Sequence, residues 1–464
     1  MPCKIRHKKQ EAGRMKYIDL FSGLGAFSHA LDLLGHECVA ALDIDQTLVN
    51  TYKQNFPSHS NIICADIRTS HHELPQHDIL CAGFPCQPFS KSGKQEGLLD
   101  VERGDLVDSV IEIAAQNHPE YIFLENVANL SEHNSGTTWL HIKESLEGLG
   151  YEVRWTKHVK KGGSGMLNPL DFGFPQNRER FFSVCRRGFL PADTFPAKQS
   201  TKSKIEEKII ADDLLSEDEI LNSSITDKEY SCIENWQIAV NALPNKADDL
   251  PPFPIWLEEI DAEYPISFTT PFAELLKEGM SSHDIESRLA KLPPYAQSKQ
   301  AIFPRWKRRF LQQNREWFDT FRHKIPQNAV DALRVLPHTY RKFEWNDKGG
   351  PANLWDHCLQ FRPSGLRVSN SSYIPAIVSI NKQQLPIYGP IRRRLVFREI
   401  KRCFGFPDSF ILPPQSTASV SALGNTIHTS MLKILLEHVL LIPNLQITRS
   451  PNPDFSSRGS IVNG

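Results

Sequence analysis

From Tyr17 to Cys185 short apolar runs alternate with amphipathic stretches. Tyr17-Ile18-Asp19-Leu20-Phe21 predicts a strand, followed by Ser22-Gly23-Leu24-Gly25 and a helix to about Leu34. Val39–Asp43 predicts a second strand, Gln46–Asn55 a helix, and Ile62–Asp66 a third strand. Asp78-Ile79-Leu80-Cys81-Ala82 has the length of a buried parallel strand and breaks at Gly83 and Pro85. A helix near Asp105–Ala115, a strand at Tyr121–Asn126, a helix at Thr138–Leu149, a strand over Tyr151–Val159 and a late strand at Phe181–Cys185 continue the series. Strand–helix alternation of this kind predicts an α/β fold with a doubly wound, mostly parallel, Rossmann-like sheet.

The pattern is lost after Arg187. Residues 194–219 are polar and then acidic, and Pro304–Lys348 is basic and aromatic, with eleven Lys or Arg against five Asp or Glu. Trp317, Phe318 and Phe321 read as the buried face of an amphipathic helix there, with Arg305, Arg308 and Arg309 left to meet phosphate. Patterning resumes near Leu366 and ends in a helix over Ile427–Leu441. The expected division is a first domain over 1–187, a second, smaller inserted one over 188–360, a return to the first over 361–444, and a disordered tail over 445–464 rich in Pro, Ser and Asn.

Composition changes this picture little. Charged residues make up 23% of the 464 and the formal net charge is −1, so any nucleic-acid surface is a local patch. Nine scattered cysteines with no CxxC pair predict neither a disulfide framework nor a zinc site, and read as a reducing, cytoplasmic setting. No apolar run approaches a membrane span.

The chemistry gathers at strand ends. Cys86 follows a strand, between Pro85 and Pro88, where open α/β sheets place ligands; a buried inert thiol is the alternative. Gly23 and Gly25 let the backbone approach a ligand at a helix N-terminus, although Ser28 replaces the third glycine of a dinucleotide loop. Asp43 and Asp66 end the second and third strands, placed for a ribose and an adenine amino group, or else as caps. Glu125 ends the strand after that of Cys86, and Arg180 adds a fixed cation. A thiol nucleophile, a carboxyl and an arginine suit attack on an electron-poor heterocycle.

Taken in order, these motifs resemble the bacterial DNA (cytosine-5) methyltransferases of restriction–modification systems. Asp19 through Gly25, Gly83 through Ser90, Glu125-Asn126-Val127, Gln176 through Arg180 and Gly424-Asn425-Thr426 are similar to five family motifs in family order. The resemblance implies S-adenosyl-L-methionine as cofactor, held by Phe21, Gly23, Gly25, Asp43, Ile44, Asp66, Ile67, Leu106 and Asn425. It implies Cys86 as nucleophile on a flipped cytosine, Glu125 on N3 and the exocyclic amine, Arg180 on O2, Arg178 in support, and Ser90–Leu99 as a closing loop. By the same resemblance the inserted region recognises the target, double-stranded DNA is the partner of a monomeric enzyme with no membrane attachment, and a cognate restriction endonuclease acts on the same site. Three other readings compete: an RNA-directed relative, an NAD-dependent oxidoreductase that would leave Cys86 without a use, and a non-catalytic DNA-binding module.

Overall fold

Strands that are apolar on both faces must be covered on both faces, and Ile79–Ala82 and Tyr121–Leu124 are buried throughout. They lie in the middle of a seven-stranded sheet in the computed structural model, which describes residues 13–70, 74–85, 101–157, 165–199, 205–211, 214–377 and 382–441. The elements to residue 199 are β1 (Lys16–Leu20), α1 (Ala26–Leu33), β2 (Glu37–Asp43), α2 (Gln46–Asn55), β3 (Ile62–Cys64), α3 (Ile67–Ser70), β4 (Ile79–Ala82), α4 (Val101–Asn117), β5 (Tyr121–Val127), α5 (Thr137–Gly148), β6 (Tyr151–Trp155), β7 (Gln176–Asn177) and β8 (Arg180–Arg187). The sheet order is β3-β2-β1-β4-β5-β8-β6. The first five strands pair in parallel, and β8 runs antiparallel between β5 and β6. Because the order reverses at β1 and β4, right-handed crossovers put helices on both faces and open a crevice at the carboxyl ends of those two strands. The expected α/β class is the observed one.

The chain divides into two compact units. The first comprises residues 1–172, 179–199 and 427–464, and the second 173–178 and 200–426. The second unit contains α6 (Ile205–Lys208), α7 (Glu217–Asn222), α8 (Asp227–Ala242), β9 (Ile255–Trp256), α9 (Pro271–Lys277), α10 (Ser282–Leu289), α11 (Arg305–Phe321), α12 (Gln327–Arg334), β10 (Lys342–Asn346), β11 (Cys358–Arg362), β12 (Gly365–Ser369), β13 (Ile374–Pro375), β14 (Ile387–Tyr388), β15 (Arg393–Arg394), α13 (Phe397–Cys403) and α14 (Ser416–Asn425). Its six-stranded sheet has the order β15-β14-β11-β12-β10-β9, over a core that includes Trp236, Phe318, Phe343 and Trp355. The helix α15 (Thr429–Leu440) returns to the first unit and packs on α1.

One expected boundary moves. The return expected at residue 361 comes at 427, because β11 and β12 pair with one another and β12 lies parallel to β10, so these strands complete the second unit's sheet. That unit is also no smaller than the first. The short strand β7 joins it as well, paired in parallel with β13. The expected amphipathic helix is α11, with Trp317 and Phe318 buried and Phe321 packed against the core. Among the described residues no helix is long and apolar enough to cross a membrane. The expected tail over 445–464 lies outside the described residues.

Candidate active site

The turn after β1 is built from left-handed residues: Phe21 (φ 54°), Gly23 (φ 54°) and Gly25 (φ 74°). For a bulky side chain such as Phe21 that conformation is an outlier of the kind that gathers at functional sites. A Cβ on Gly25 would lie 2.5 Å from Phe56 Cε2, so glycine is required there by both dihedral and space. At Gly23 the space beyond Cα is open among the described residues, with the Phe21 carbonyl oxygen within reach at 3.9 Å. Beneath the turn, the buried Asp19 carboxylate accepts from Ser28 N–H at 3.2 Å and Ser28 Oγ–H at 2.7 Å. This explains the serine at the position of a third glycine: it anchors α1 to β1. Burial raises the Asp19 pKa to about 7.

Asp43 ties two loops together. Its Oδ2 accepts from Gly23 N–H at 2.8 Å and its Oδ1 from Asp45 N–H at 2.9 Å, and burial holds its pKa above the usual carboxylate range. A carboxylate has about four acceptor positions, so acceptor capacity remains for a ligand hydroxyl. Ile44, beside it, is an apolar side chain 69% exposed. At Asp66, Arg68 Nε donates to both carboxylate oxygens at 3.0 Å, which lowers its pKa. The Ile67 side chain is buried in the core, and Leu106 packs on the same core half-buried. The open space at Gly23, the spare acceptors of Asp43 and the exposed Ile44 fit an adenosine-type ligand.

The register of the sheet carries β4 to the same edge. Leu20 pairs with Ala82, and Ala82 with Leu124, so Gly83 stands beside Glu125. A Cβ on Gly83 would be 3.5 Å from Glu125 Oε2. Glu125 is buried, and Arg180 Nε lies 3.0 Å from its Oε1, brought there by the antiparallel pairing of β5 with β8. Sequence reasoning gave no task to Asn126. Its side chain, fully buried, donates to the Phe84 carbonyl at 3.1 Å and accepts from Val127 N–H at 2.8 Å. It thereby fixes the backbone two residues before Cys86. Cys86 itself and the loop Ser90–Leu99 lie outside the described residues.

Arg178 and Asn425 belong to the second unit. The Arg178 guanidinium is buried; Nη2 donates to the carbonyls of Gly424 at 2.6 Å and Thr426 at 2.9 Å, and the group lies over the Phe404 ring at 5.3 Å. These bonds bracket Asn425, which is exposed at the end of α14. Arg178 thus holds the turn that presents Asn425.

Comparison with known proteins agrees with this geometry. The family model described as C-5 cytosine-specific DNA methylase matches residues 15–440. Type II methyltransferase M.AluI of Cellulosimicrobium cellulans is 28% identical over 493 aligned residues, covering 92% of either chain. Type II methyltransferase M.HhaI of Haemophilus parahaemolyticus is 35% identical over 235 residues, covering 50% of this chain and 67% of its own. M.MspI of Moraxella sp is 39% identical over 170 residues, covering 36% of this chain and 38% of its own. A family match that runs through both units, over nearly the whole chain, makes this protein a member of the C-5 cytosine-specific DNA methylases, a DNA (cytosine-5)-methyltransferase of the restriction–modification type.

Proposed function

We propose that the protein methylates C5 of a cytosine flipped out of duplex DNA, with S-adenosyl-L-methionine as methyl donor and a transient Cys86 adduct. The observation that carries this reading is the meeting of Gly83, Glu125 and Arg180 at the carboxyl edge of β4 and β5, one strand from the Gly23–Asp43 cradle. A base stacked in a duplex hides its ring faces, so the reacting cytosine must leave the stack.

Phe21, Gly23, Gly25, Asp43, Ile44 and Leu106 would hold the cofactor, with the backbone at Ile67 and the Asp66 carboxylate toward adenine. Asp66 serves there only by sharing its oxygens with Arg68. When bound, the cofactor supplies an electrophilic methyl group. The Cys86 thiolate forms a bond to C6 and pushes the C5–C6 electron pair onto C5. The Glu125 carboxyl hydrogen-bonds N3 and the exocyclic amine, which draws charge from the ring as the bond forms. Arg180 holds Glu125 in place and donates to O2. After methylation, water takes the C5 proton, the C5–H electron pair restores the C5–C6 double bond, and Cys86 leaves as thiolate.

The enzyme would work as a monomer in the cytoplasm, protecting host DNA from a cognate endonuclease at the same site. The second unit would supply target recognition. Fluorine at C5 tests the chemistry, because F⁺ is no leaving group and the adduct cannot break down. Duplex DNA carrying 5-fluorocytosine at the target should form a denaturant-stable complex that requires S-adenosylmethionine and is lost in Cys86→Ala. A trap on fluorinated RNA alone would make the enzyme RNA-directed, and a complex persisting in Cys86→Ala would place the nucleophile elsewhere.

A further inference from the structure

One end of α11 differs from the rest of the second unit in how its charges are matched. Along that helix Arg315 pairs with Glu259 at 2.8 Å and Arg322 with Asp261 at 3.5 Å. Elsewhere in the unit Arg334 pairs with Asp261, and Arg341 with Glu258 at 3.8 Å. Arg305, Arg308 and Arg309, in the first two turns, have no acidic partner among the described residues. Among the described residues Arg308 Nε is buried without a hydrogen-bond partner, and the Arg308 guanidinium lies over the Phe268 ring at 5.2 Å.

Apolar surface collects at the same end. Trp306 is 59% exposed, Phe268 58% and Ile302 46%. Phe268 and Ile302 are held beside each other, since Thr269 bridges Ile302 and Phe303 N–H donates to the Phe268 carbonyl at 3.1 Å. With 100° per residue, Arg305 and Arg309 fall at the centre of the face opposite Leu311, Asn314 and Phe318, and Arg308 and Trp306 flank them. Lys307 turns away, donating to the Tyr295 carbonyl at 2.6 Å.

We infer that this face, Arg305, Arg308 and Arg309 with Trp306, Phe268 and Ile302, is a surface on which the second unit grips and reads duplex DNA. The inference rests on the DNA-methyltransferase reading and names the residues that choose its target. Unpaired guanidinium groups beside exposed flat side chains match a polyanion whose grooves present base edges and thymine methyl groups. A protein partner would need acidic groups against all three arginines; DNA offers a phosphate to each. The arginines set position, and Trp306 with Ile302 supplies apolar contact in a groove or between base steps.

The test uses the full chain and a labelled duplex carrying the site found methylated in DNA of an expressing host, against a scrambled duplex. Binding is followed from about 50 to about 200 mM salt. Arg305→Gln/Arg308→Gln/Arg309→Gln should weaken binding at low salt by at least about tenfold and make the logarithmic salt slope shallower by about 2 to 3. S-adenosylmethionine affinity and the thermal unfolding curve should stay unchanged. Should the triple variant fail to fold, the exposed single changes Arg305→Gln and Arg309→Gln should each cost about 0.9 of slope. Trp306→Ala should keep the slope but reduce the preference for the methylated site over the scrambled one by about tenfold. A wild-type enzyme that methylates duplex DNA, with unaltered slope and preference in these variants, overturns the surface alone. A wild type inactive on duplex DNA overturns the surface together with the function it rests on.

Discussion

The side-chain amide of Asn126 donates to the carbonyl of Phe84 at 3.1 Å, joining the end of β5 to the turn after β4. The same side chain accepts from Val127 N–H, so both halves of the amide are used. Asn126→Asp keeps the shape and the acceptor but cannot donate when ionised. The bond to the Phe84 carbonyl is then lost, at a cost of about 1–3 kcal/mol. Because this carbonyl leads into Cys86, kcat should fall by about tenfold or more, with cofactor affinity preserved. A variant with wild-type kcat in single-turnover methylation would remove Asn126 from the catalytic support.

Arg180 and Glu125 form a pair shielded from solvent. Arg180→Ala leaves the carboxylate in a buried place without its cation, and should destabilise the protein by about 3–5 kcal/mol. Glu125→Gln combined with Arg180→Ala should recover much of that loss while remaining inactive. Urea unfolding of the two single variants and the double variant measures the coupling directly.

Asp43 has a structural task besides any ligand. Asp43→Ala removes the acceptor of Gly23 N–H, so the glycine turn loosens as the sugar contact is lost. Cofactor affinity should fall by roughly 1–3 kcal/mol, with DNA affinity unchanged. Asp43→Asn retains one acceptor and should fall less. Calorimetric titration with S-adenosylmethionine separates the two.

Asp19 predicts a pH dependence of stability. Its folded pKa, about 7, lies above the ordinary value of 3.8. Between those values the folded protein binds more protons at this group than the unfolded chain does. Stability from this group is therefore greatest in acid, falls as pH rises from about 4 to about 7, and is level above. The difference amounts to at most about 4 kcal/mol. Comparing the unfolding free energy of wild type and Asp19→Asn across this range isolates it: the variant should lose less stability as pH rises.

The parallel half of the first unit was legible because buried strands are continuous apolar runs, and Asp78–Ala82 or Tyr121–Asn126 could hardly be anything else. The direction of β8 was not, since periodicity carries no polarity, and Phe181–Cys185 reads the same either way. Nor could composition show that Gly365–Ser369 pairs with both Cys358–Arg362 and Lys342–Asn346 in a second sheet, because strand partners are chosen by tertiary contact. At the site, strand-end carboxylates and glycines announced themselves by position. The Arg68 fork on Asp66, the inward-facing Ile67 and the Asn126 tether depend on rotamer and register, which a one-dimensional pattern does not hold.

The second unit is not one continuous stretch of chain. Residues 173–178 bring it the strand β7, which pairs with β13, and Arg178, whose guanidinium holds the Gly424 and Thr426 carbonyls. A chimaera that moved residues 200–426 alone into a relative would graft a cassette missing its clasp: β13 would lose its neighbour and two buried carbonyls their donor. The smallest exchangeable module is the long segment together with that hexapeptide, and a graft of the second unit keeps these contacts only when both pieces travel as a pair.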